Sequence, residues 1–285
     1  MVAGAGVMWS TGAPLIRFLE EATEWQFLFY RNVAMVVALL LILKLRQPGR
    51  SVVSKLRDGI WANMLGGFFL AIGFVAFLFS INYTTVATTL FMMSASPFLA
   101  ALAAYLFLNE ILSARQWIAI FGGCIGISIM IGEGISTSSF FGAFMGLVTA
   151  LGFAGFSIVL RWGKSHEMLQ TVCFAGIFTA AVSCVMALAT GQGLGLIPTD
   201  WLIAIIYGVF GMAVGMSLYV AGSRYLVAAE LTMLSLLEVV LAPIWVAIVF
   251  SEIPSVLTIL GGTILMSSII YQSTGRNRRL NNVTD

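Results

Sequence analysis

The segment Glu230–Pro243, ELTMLSLLEVVLAP, sets two carboxylates inside an apolar run long enough to cross a lipid bilayer. Glu238 falls near the middle of that run, where an uncompensated charge costs about 2.5–3.5 kcal/mol on insertion scales. A carboxyl group at that depth is protonated, paired or facing water. In a carrier it binds a proton or a substrate ammonium in one state and releases it in another; otherwise it is a permanently neutral hydrogen bonder between helices. Arg31, within FYRN, stands a few residues inside another apolar run. From there a guanidinium either snorkels to the lipid headgroups or pairs with a substrate carboxylate or with Glu238.

Other side chains suit the holding of a small amphipathic solute. Trp9, Ser10 and Thr11 open the first apolar run and Tyr219 lies in a later one, so an aromatic wall and hydroxyls are available. Residues four apart share a helix face, which groups Thr88, Met92 and Ser96 on one run against Glu230, Leu234 and Glu238 on another. Ser235 joins the substrate-binding set. Pro14, Pro97 and Pro243 each free a carbonyl four residues earlier, at Ser10, Met93 and Val239, either to face a cavity or simply to kink the helix. Glu230, near Arg224, reads as a surface pair.

The remaining chemistry-bearing residues are better explained by packing. Cys124, Cys173 and Cys184 show no CxxC pair and no metal-ligand spacing, and the single histidine, His166, sits in a basic loop. No cofactor and no metal are expected. Trp25, Trp61, Trp117 and Trp201 fall at the ends of apolar runs, where tryptophan anchors at the interface. Glycines 122, 123, 126, 142, 146, 208, 211 and 215 are spaced for close helix approach rather than for a phosphate loop.

These residues are positioned by a chain of 285 residues, 60% hydrophobic and 9% charged, against about 25% charged in a soluble domain. Its mean hydropathy is +1.02. The pattern predicts an all-α polytopic membrane protein with ten transmembrane helices near 2–19, 25–44, 60–81, 86–107, 115–132, 141–160, 169–189, 200–222, 227–249 and 256–272. Strand-like alternation is absent. Lysine and arginine collect in alternate connections and in the tail, twelve of fourteen in all, which places both termini in the cytoplasm. The first, third, fifth, seventh and ninth connections, free of both residues, face outward.

The chain also resembles itself at an offset of 142 residues. Between 58–113 and 200–255, thirteen of 56 positions match without a gap, among them Asp58/Asp200, Gly66/Gly208, Gly73/Gly215, Tyr83/Tyr225 and Glu110/Glu252. Five helices per copy is an odd number, so the second copy enters the membrane inverted. The expected organisation is a single membrane domain, with one five-helix repeat in 1–135, an inverted one in 141–273 and a cytoplasmic tail in 274–285.

On WSTGAPLIRFL, FLFYRN, SPFLAALAAYLFLNE with GG, and LLEVVLAPIWVAIVFSE with ILGG, the sequence resembles the drug/metabolite transporter superfamily, specifically its EamA-type ten-helix members. The resemblance covers essentially the whole chain. It implies a ten-helix inverted repeat around a cavity lined by spans 1, 3, 4, 6, 8 and 9, and transport of small organic metabolites, often outward. Val239 follows Glu238 where such proteins usually carry proline, and the link from Glu252 to its glycine pair is three residues shorter than that from Glu110.

The expectation is a secondary transporter of amino-acid-like solutes in the export direction, working by alternating access, with protons coupled through Glu238. The alternative is facilitated diffusion of apolar or cationic compounds. Its partners would be the small-molecule substrate, the lipid bilayer and protons, with no nucleic acid, in a monomer or homodimer of the plasma membrane, a bacterial inner membrane. An intramembrane enzyme lacks a serine–histidine, paired-aspartate or metal constellation, and a channel lacks a polar ring.

Overall fold

The computed structural model describes residues 1–46, 51–108, 111–131, 137–162, 168–223, 225 and 228–281. Among them every regular element is helical. In chain order these are α1 (Val2–Ser10), α2 (Gly12–Arg17), α3 (Glu24–Arg46), α4 (Val52–Arg57), α5 (Ile60–Tyr83), α6 (Val86–Met93), α7 (Ser96–Leu108), α8 (Ala114–Ile131), α9 (Thr137–Trp162), α10 (Met168–Ala189) and α11 (Pro198–Ile206). A π-helical segment (Tyr207–Val214) joins α11 to α12 (Gly215–Ser223), followed by α13 (Ala228–Phe250) and α14 (Val256–Asn281).

Seven stretches among the described residues are long and apolar enough to cross a membrane: Glu24–Arg46, Ile60–Tyr83, Val86–Phe107, Ala114–Ile131, Phe140–Val159, Met168–Ala189 and Pro198–Gly222. Leu236–Phe250 and Val256–Gln272 are shorter apolar helices. The chain is thus an integral multi-pass membrane protein. The expected first span is two short helices broken at Thr11, and the fourth is broken at Ser94–Ala95. Pro14 and Pro97 each lie in the first turn of the following helix, where a missing N–H leaves no bond unmade. Pro243 behaves differently, since α13 runs through it without interruption. The last helix continues past the expected boundary at 272 to Asn281.

Two bundles form the body. One contains α1, α2, the π segment, α12 and α13; the other contains α5, α6, α7 and α9. The pair α3–α10 packs against both, and α8–α14 forms a second peripheral pair. Glycines set the closest crossings. A methyl group on Gly152 would lie 2.7 Å from the Gly73 nitrogen and the Phe69 carbonyl, so α5 and α9 touch backbone to backbone. Gly126 and Gly261 do the same for α8 and α14, a methyl on Gly126 falling 2.5 Å from the Gly261 carbonyl oxygen.

The glycines paired by the internal repeat make corresponding contacts. Gly66 of α5 abuts Thr171 of α10, while Gly208 of the π segment abuts the backbone of Arg31 on α3. Gly73 of α5 abuts α9, while Gly215 of α12 abuts Trp9 of α1. Two buried glutamines tie neighbouring segments together in different ways. Gln170 on α10 accepts from Asn63 of α5 at 2.9 Å, and Gln26 on α3 donates to the carbonyls of Gln192, Gly193 and Gly195 ahead of α11.

Candidate functional site

Arg31 does not snorkel. Its side chain is among the largest fully buried in the protein, 1% exposed, in the middle of the contact between α3, α5 and the π segment. The guanidinium carbon lies 5.9 Å from the ring centre of Phe27, 5.4 Å from Phe74 and 6.0 Å from Tyr207. Phe27 and Tyr207 are nearly parallel, at 11° and 6.4 Å between centres. Three ring faces attract a cation, by about 0.5–2 kcal/mol each, but cannot accept the N–H groups along the guanidinium plane. Nε and Nη2 are buried without a hydrogen-bond partner, and Arg31 has no ion pair among the described residues.

Tyr207 connects this box to the rest of the site. It begins the π segment, and its hydroxyl and ring edge pack over Gly12, immediately after the α1–α2 break. It lies within electrostatic range of both Arg31 and Glu238. A π segment widens a helix by roughly one residue per turn and recurs at functional sites; here it swings Tyr207 toward α3 and leaves Gly211 beneath its ring.

Glu238 stands on α13 beside α1, where Gly6 admits the helix so closely that a methyl there would lie 3.2 Å from the Leu234 carbonyl. It is half-buried and has no hydrogen-bond or ion-pair partner among the described residues. Trp9 leans on Gly215 and meets Tyr219 at 5.3 Å between ring centres, with its own indole N–H buried and unpartnered. The Ser10 hydroxyl is buried, donating to the Val7 carbonyl at 2.7 Å and accepting from the Trp245 indole at 3.1 Å. Thr11 is exposed at the break and bonds back to the Met8 carbonyl.

The other expected residues lie apart from this cluster. Thr88 is buried near the start of α6, its hydroxyl 2.8 Å from that of Thr85 and 3.5 Å from that of Thr258. Met92 is fully buried with Met130 and Ala143 and presses on Gly146 of α9. Ser96 is half-buried at the start of α7, and the break at Ser94–Ala95 interrupts the one-face register expected of Thr88, Met92 and Ser96. The side chains of Ser235 and Glu230, and all of Glu110 and His166, lie outside the described residues. Glu252, just past the end of α13, pairs with Arg17 at 3.0 Å.

Tyr207, Phe74 and Trp245 escaped the reading of the sequence. An aromatic in a run that is apolar throughout carries no periodic signal, and the box closes across three segments far apart in the chain.

An all-helical membrane body enclosing an arginine and a glutamate, each without an ion pair among the described residues, is the anatomy of a transporter of small solutes. The chain belongs to the EamA-like transporter family, whose model matches it twice, over residues 1–132 and 140–274. It is 24% identical over 252 residues to the pseudopaline exporter CntI of Pseudomonas aeruginosa (strain UCBPP-PA14), covering 87% of this chain and 85% of that one; the CntI of strain PAO1 matches equally. A solved structure described only as "Crystal structure of protein" superposes with a TM-score of 0.64 at 18% identity, covering 95% of both chains, and so shares the fold. The protein is a membrane transporter, not an enzyme.

Proposed function

We propose that the protein is a secondary carrier exporting amino-acid-like solutes by alternating access between two inverted five-helix halves, with Arg31 receiving the substrate carboxylate and Glu238 exchanging a proton or the substrate ammonium. The observation that carries this reading is the Arg31 box: a fully buried guanidinium with two unpartnered nitrogens and three ring faces, but no acid. An isolated buried charge is expensive, and orphaned donors add about 1–3 kcal/mol or more. A visiting carboxylate relieves both. Glu238, half-buried and unpaired among the described residues, offers the complementary charge.

Two observations support the inverted halves. One family description fits both stretches of the chain, and the paired glycines make corresponding contacts. The relative named as an exporter supports the outward direction.

Flux into proteoliposomes tests the reading, using a set of amino acids beside the amines that lack only the carboxylate. Uptake should saturate and favour the amino acids. Glu238→Gln keeps size and hydrogen bonding, so the protein should fold, while flux falls at least tenfold, about 1.4 kcal/mol of coupling, and its pH dependence flattens. Equal uptake of acids and amines moves the assignment to cationic or apolar compounds. A wild-type rate and pH profile in Glu238→Gln returns the mechanism to facilitated diffusion.

A further inference from the structure

We infer that Arg17, Glu252 and the backbone at Thr84–Val86 form the gate that closes one face of the carrier, and that the structure is the state in which this gate is shut. Arg17 ends α2, and its Nη2 reaches both the Glu252 carboxylate at 3.0 Å and the Thr84 carbonyl at 3.2 Å. The other Glu252 oxygen accepts the Val86 N–H at 2.8 Å, at the first residue of α6. Arg17 and Glu252 belong to the α1–α13 bundle, whereas Thr84 and Val86 belong to the α5–α9 bundle. The ion pair therefore holds one bundle's two ends together and offers the other bundle one donor and one acceptor.

The packing agrees with a shut face here. The two bundles meet chiefly through α13 against α6, the half of the broken span that starts at this connection. The other half, α7, packs on α9 and α8 and makes no comparable contact with α13 among the described residues. A further sign is backbone strain. Ser251, between the end of α13 and Glu252, has φ +56, a left-handed conformation that non-glycine residues rarely adopt. That turn delivers the Glu252 carboxylate to Arg17 and to the Val86 amide, and such strain is kept where a function over-determines it. On the charge pattern this face is the outer one.

Val86→Pro isolates the gate from everything else the carboxylate does. Proline is tolerated at the first helical position, and Thr85 before it is already extended, with φ −75 and ψ 152. The substitution removes one bond between the bundles without altering charge or breaking α6. Glu252→Ala is the second variant, removing the ion pair as well.

The reporter is Thr11→Cys, exposed at the α1–α2 break, in a background with Cys124, Cys173 and Cys184 replaced. Full-length protein in right-side-out vesicles is labelled with an impermeant methanethiosulfonate. With the gate intact, the introduced thiol should be slow to react from outside; Val86→Pro and Glu252→Ala should each speed the reaction at least fivefold. Should one variant fail to fold, judged by its melting transition in detergent, the other decides. One unchanged outside rate, zero included, in the parent and in every folded variant overturns the gate. The inference rests on the carrier reading, yet labelling needs no substrate, so a failed gate and a failed substrate assignment give different results.

Discussion

Arg31 separates stability from function at the level of a single side chain. A buried charge without a counter-ion is a burden on the fold, and replacing buried ionic groups with apolar residues of similar volume is often neutral or stabilising by about 1–4 kcal/mol. Arg31→Met should therefore melt at or above the wild-type temperature, measured by intrinsic fluorescence in detergent, while amino-acid flux falls at least tenfold. Arg31→Lys keeps a charge over the rings but not the planar fork that takes a carboxylate by two bonds, so its KM should rise with little change in folding. A large drop in melting temperature for Arg31→Met would instead make the Phe27–Phe74–Tyr207 box a structural anchor.

The helices are built around glycine contacts that differ in how much they can yield. A methyl on Gly152 would meet the backbone of Gly73 and Phe69 at 2.7 Å, whereas one on Gly4 would meet only the tip of Leu218, at 3.9 Å. Backbone cannot rotate away. Gly152→Ala should consequently force α9 off α5 and destabilise by about 1–3 kcal/mol, and Gly4→Ala should leave the melting temperature unchanged. Long apolar runs and paired glycines were legible in the sequence because each follows from composition or an offset. The breaks at Thr11 and Ser94–Ala95 were only half legible: prolines marked Pro14 and Pro97, but the same signal at Pro243 sits in a continuous helix. The π segment left no trace at all, since Tyr207–Val214 differs from an ordinary apolar helix only in how Gly208 and Gly211 are used.

At the scale of the molecule, the proposed alternating access rests on a relation between the two halves, and it has a consequence for sidedness. If each half holds five helices, as proposed, connections that correspond in the two repeats lie on opposite faces of the bilayer, because five helices carry the chain from one side to the other. The stretch from the last turn of α3 onward is strongly basic, with Lys44, Arg46, Arg50, Lys55 and Arg57, and its counterpart between α10 and α11 contains no lysine or arginine. Cysteine labelling reads this directly. Gly191 is a poor site for it, because φ +73 strains any side chain. Gly195 is better, being exposed with nothing within 4 Å of an added Cβ, and Ser51 is exposed after α3. In intact cells, Gly195→Cys should react with an impermeant maleimide, and Ser51→Cys only after the membrane is opened. The opposite pattern would reverse the orientation while preserving the inverted halves, with the Arg17–Glu252 face then turned to the cytoplasm. Reaction of both cysteines from one side would remove the inverted relation, and with it the reason for two bundles to exchange closure around Arg31 and Glu238.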